Sequence, residues 1–88
     1  MPTYLVESYG PNRGDALSDA RERAACAAEL GTGVRYVRTT FLPGDETVLH
    51  VFEAASLDAL RGAARLAALA HERIIEAVEG YDERKETK

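Results

Sequence analysis

Apolar residues fall along this chain in alternating rhythms. Thr3 to Tyr9 holds Tyr4-Leu5-Val6 at its centre and stops at Gly10-Pro11, which predicts a strand ended by a turn. After the loop Asn12-Arg13-Gly14, Ala16, Leu17, Ala20, Ala24, Ala27 and Leu30 recur at three- and four-residue steps. That spacing marks one face of a helix of about four turns. Asp15 stands where a carboxylate accepts from the free amides of the first turn, and Gly31 and Gly33 suit a left-handed exit.

Val34 to Leu42, rich in Val, Thr, Tyr and Phe, predicts a second strand. Pro43-Gly44-Asp45 reads as a turn and Thr47 to Ala54 as the returning strand, so the two form a hairpin. Ser56 caps a second helix, Asp58 adds charge at its positive end, and Leu57, Leu60, Ala64 and Ala67 line its buried side. Arg73 to Val78 either extends that helix or makes a last strand. Two helical periods separated by a hairpin favour the strand. The resulting order, β-α-β-β-α-β, is the ferredoxin-like α+β sandwich, with two helices on one face of a four-stranded antiparallel sheet. It occupies residues 1–80 as a single domain, and 81–88 form a charged tail. The other sheet face is left for a ligand or a partner to cover.

Placing Gly44 and Asp45 at the hairpin tip sets Thr39 opposite His50. Val37, Thr39, Phe41, Val48, His50 and Phe52 then share one face, the more apolar one, which meets the helices. Tyr36, Arg38, Thr40, Leu49, Val51 and Glu53 share the open face, and Glu7 joins them if Leu5, Glu7 and Tyr9 lie on that side. An arginine and carboxylates mid-strand are costly unless paired, hydrated or liganded. The set Glu7, Tyr36, Arg38 and Glu53 therefore has two readings: an ion pair at a dimer interface, or the polar floor of a ligand pocket. His50 reads as a core histidine bonded to a hydroxyl such as Thr39. His71 reads as a cation at the negative end of the second helix. As metal ligands the two histidines have no shared spacing. Cys26, among helix alanines, reads as a small core residue.

Composition narrows the classes. Eighty-eight residues suit one small domain, and a net charge of −4 gives nucleic acid or an anionic membrane no electrostatic support. No apolar run approaches the roughly 20 residues of a membrane span, and no signal peptide opens the chain. A single cysteine fits a reducing cytoplasm. Fifteen alanines and no tryptophan leave few large side chains for the core, so pairing with a second copy is expected. Glycine-rich phosphate loops, zinc signatures, nucleophile elbows and dinucleotide fingerprints are absent from the sequence.

The stretches Met1-Pro2-Thr3-Tyr4-Leu5-Val6-Glu7, Val34-Arg35-Tyr36-Val37-Arg38-Thr39, His50-Val51-Phe52-Glu53-Ala54 and Glu72-Arg73-Ile74-Ile75-Glu76 span nearly the whole chain. In them it resembles a small bacterial ferredoxin-like family of unknown function that includes nickel-binding proteins. The resemblance implies a βαββαβ fold, homodimerisation through the sheet, and a divalent transition metal such as nickel as cofactor. Tyr36 and Arg38 stand where the family often has Trp and His, and His50 where it often has Cys. Arginine cannot lose its proton to become a ligand, so Arg38 subtracts a donor and adds a repelling charge.

Three functions are consistent with these residues. The first is a small dimeric ligand- or metal-ion-binding protein, with His50 and His71 as the imidazole donors. The second is a cofactor-independent enzyme, a cyclase, isomerase or monooxygenase, working in a cavity between sheet and helices. There Arg38 would hold an oxyanion and Glu7 or Glu53 would move a proton. The third is a structural or regulatory dimer without ligand.

Overall fold

Alternation and helical periodicity place six elements within one or two residues of where the chain's pattern puts them. The computed structural model describes residues 1–11 and 13–78, so the tail expected over 81–88 lies outside the described residues. Strand β1 is Thr3–Tyr9, helix α1 Ala16–Leu30, β2 Val34–Leu42, β3 Thr47–Ala54, helix α2 Leu57–Leu66 and β4 Arg73–Ala77. The sheet order is β2-β3-β1-β4, with every neighbouring pair antiparallel. This is the ferredoxin-like α+β fold. Among the described residues no helix is long and apolar enough to cross a membrane.

The core lies between the helices and one sheet face. Phe52, Leu60, His50, Val6 and Val48 are its largest fully enclosed side chains, and Ala24, Ala27, Ala63 and Ala64 bring the helices down onto them. Small helix residues permit close approach. A Cβ on Gly31 would stand 2.4 Å from the Cβ of Ala63, so glycine there lets the end of α1 touch α2. A Cβ on Gly10 would likewise stand 2.3 Å from Cγ2 of the buried Val48.

The two helix starts differ. Ser56 has extended backbone and its hydroxyl accepts from the Ala59 amide at 3.1 Å, as expected of a cap. Asp15 makes no such bond, against expectation. Its backbone is already near-helical (φ −99°, ψ −9°), and its carbonyl rather than its side chain accepts, from the Asp19 amide at 3.0 Å. Gly33 takes the left-handed conformation (φ +72°), whereas Gly31 is extended. Leu30, expected on the buried stripe of α1, is 53% exposed.

Candidate functional site

Strand register decides which side chains meet. Thr39 pairs with His50 and Phe41 with Val48, as the placement of the hairpin tip predicts. Between Tyr36 and Arg38 the register shifts: Tyr36 pairs with Phe52 and Arg38 with Val51, so Val37 is an extra residue bulged out of the ladder. One extra residue exchanges the faces of everything before it. Tyr36 therefore belongs to the helix side, not the open face, and Val37 is pushed out, 37% exposed. The Tyr36 ring packs on Phe52 with centroids 5.6 Å apart, which an open-face tyrosine could not do.

On the helix side this correction assembles a polar chain. The Tyr36 hydroxyl hydrogen-bonds Thr39 Oγ1, and Thr39 Oγ1 hydrogen-bonds His50 Nδ1 at 2.8 Å. The expected core histidine with a threonine partner is present. Its Nε2 is buried with no partner among the described residues. Burial removes the solvation an imidazolium needs and lowers the His50 pKa from 6.5 to about 4, so the ring is neutral near pH 7.

The open face carries the ion pairs, with arginines other than the one singled out from the sequence. Glu53 lies opposite Arg35, not Arg38, again because of the bulge, and Arg35 Nη1 reaches its carboxylate at 2.6 Å. Glu7 lies on this face beside β4, where Arg73 Nε donates to it at 2.5 Å. That hydrogen bond and the carboxylate's charge raise the Arg73 pKa. Glu7 and Glu53 are thus separate pairs at different ends of the sheet, not one cluster around Arg38. Arg38 remains on the open face, exposed and opposite Val51. Between the pairs stand Leu5, Leu49, Val51 and Ile75, in register across three strands. Arg35 escapes notice in the sequence because alternation without a bulge sets it opposite Ala54 rather than Glu53. The Glu7–Arg73 pair requires knowing that β1 and β4 are neighbours.

The two histidines lie apart in kind. His50 is enclosed, 1% exposed. His71 is exposed and past the helix end expected of it: α2 stops at Leu66, Ala68 turns left-handed (φ +53°), and Leu69 closes the turn by donating to the Ala64 carbonyl. His71 Nδ1 then donates to the Leu69 carbonyl at 3.2 Å. Among the described residues no group of three or more His, Cys, Asp or Glu side chains converges, so these residues bring together no three-donor set of the kind a nickel ion takes. Cys26 is half-buried against the core, as a small apolar residue would be.

No family model matches the chain, and no curated protein does. Among solved structures it is similar to SCO4226 from Streptomyces coelicolor A3(2), with a TM-score of 0.73 and 15% identity over 90% of this chain and 99% of that one. At that identity the likeness is one of fold, and it extends over the whole sandwich.

Proposed function

We propose that the protein works as a homodimer assembled over the open sheet face, a structural or regulatory module rather than an enzyme. The observation that carries this reading is the arrangement of that face. Leu5, Leu49, Val51 and Ile75 form its apolar centre, and the Arg35–Glu53 and Arg73–Glu7 pairs stand at its margins. An apolar centre within a charged rim is the composition of protein interfaces. Ion pairs already closed within one chain reach the interface without uncompensated charge, which lowers the cost of covering them. The enzyme alternative needs a cavity between sheet and helices, and that space is filled by Phe52, Leu60, His50, Val6 and Val48. The nickel-binding alternative draws no support from the donors among the described residues.

The test is mass in solution. Light scattering at micromolar concentration should give twice the chain mass, as befits an interface of about 1,600 Å2 in total. Leu49→Asp should give the single-chain mass with an unchanged circular dichroism spectrum. A single-chain mass for the unaltered protein would overturn the proposal.

A further inference from the structure

Helix α2 carries a glycine that the chain's own packing does not ask for. Gly62 lies mid-helix, where glycine is about 1 kcal/mol worse than alanine, yet a Cβ built on it meets nothing within 4 Å. Gly10 and Gly31, by contrast, are explained by Val48 and Ala63. Gly62 instead lines a cleft of about 510 Å3 between the outer side of α2 and the end of α1. Leu66 and Leu30 also line it, 65% and 53% exposed. Two leucines turned to water beside a missing side chain describe a surface shaped for close approach by something outside the chain.

The order of residues on that surface identifies the visitor. Six residues line the cleft from α2: Ala63, buried against the end of α1, and the outward-facing set Asp58, Ala59, Gly62, Arg65 and Leu66. This set is symmetric about Gly62: reversing the helix exchanges the 58/59 pair with the 65/66 pair. Charge is reversed by the same operation, since Asp58 opens the helix and Arg65 closes it. Neither of these two exposed side chains makes an ion pair among the described residues. A second α2 laid antiparallel across a two-fold axis would therefore bring Gly62 onto Gly62, Leu66 of each copy over Ala59 of the other, and each Asp58 to the other's Arg65. Antiparallel helix dipoles add to the match.

We infer that the outer face of α2 is a self-docking surface, at which two copies of this chain pair helix to helix through Gly62. The surface lies on the helix side, away from the open sheet face, so the inference stands independently of the dimer proposed above. If both contacts form, the assembly grows beyond two chains. The α2 patch is small, about 15 Å long for ten residues, which places it among weak contacts.

Sedimentation equilibrium from about 10 μM to about 1 mM tests this range of affinity. Gly62→Gln puts a long side chain at the crossing point while improving the helix, so Tm should hold or rise while the helix contact weakens at least tenfold. The unaltered chain should exceed two chains per particle at the top of the range, and Gly62→Gln should stop at two. Leu49→Asp should also stop at two, and the double variant should stay single. Were the sheet contact absent and the helix contact real, the unaltered protein and Leu49→Asp would both stop at two, and Gly62→Gln would stay single. Asp58→Arg should weaken the contact, and Asp58→Arg with Arg65→Asp should restore it. Identical masses for the unaltered chain and Gly62→Gln at every concentration would overturn the inference. So would a charge swap that fails to restore association in a protein of normal Tm.

Discussion

The helix-side and open faces of the sheet are made by alternate residues of the same four strands, and they solve opposite problems. On the helix side Tyr4, Val6, Val48 and Phe52 are sealed, and three of the polar groups there, Tyr36, Thr39 and His50, bond to one another in a line. On the open face glutamates sit mid-strand, each closed by an arginine from a neighbouring strand. Buried polar groups depend on partners at fixed positions, because an unmet one, as His50 Nε2 is among the described residues, costs its full desolvation. Exposed ones keep water as a second partner. Losses on the helix side should therefore be large and pH-dependent, and losses on the open face small and salt-dependent.

The greatest contrast should come from two large-to-small changes on β3. Phe52→Ala removes a fully enclosed ring at the centre of the core and should cost about 3–5 kcal/mol in urea unfolding. Leu49→Ala, on the face not covered by helices, should cost clearly less at concentrations where the chain is single. Equal losses would mean that the open face is as well packed as the core.

A second contrast concerns pH. His50 has its folded-state pKa lowered by burial from 6.5 to about 4, so the unfolded chain takes up the proton first. Its contribution is intact above about 6.5 and disappears as pH falls from there to about 4, a loss on the order of 3 kcal/mol. Chemical denaturation at successive pH values should show this slope in the unaltered protein and a flatter one in His50→Phe. A slope that survives His50→Phe would assign acid sensitivity to carboxylates instead.

The smallest effect belongs to the open-face pair. Arg35 is two-thirds exposed, so Glu53→Gln should cost below about 1 kcal/mol, and the difference should vanish at about 1 M salt. A larger, salt-resistant loss in dilute protein would show that this face is less open than the register implies.

Much of this was legible in the residues. The strand at Arg73–Ala77, the four-residue hairpin loop after Leu42, and the pairing of Thr39 with His50 follow from apolar spacing and turn chemistry. The Asp15 cap misled because a capping residue works only from extended backbone, and local sequence does not fix its φ and ψ. The partner of Glu53 misled because alternation assumes an unbroken ladder. Both failures come from the same source: residue type records a preference, and geometry decides whether it is used.

By itself, then, the sequence determined the element order, the buried sides of β3 and α2, and the burial of His50 beside a hydroxyl. Periodicity of two and of 3.6 residues is local, so the chain carries it whole. The tertiary structure decided the bulge at Val37, and with it the move of Tyr36 to the core, the pairing of Arg35 with Glu53, and the position of Arg38 opposite Val51. A bulge on an edge strand breaks no local rule. What selects it is the contact of Tyr36 with Phe52 and Thr39, across and along strands, and that contact exists only once the sheet has formed.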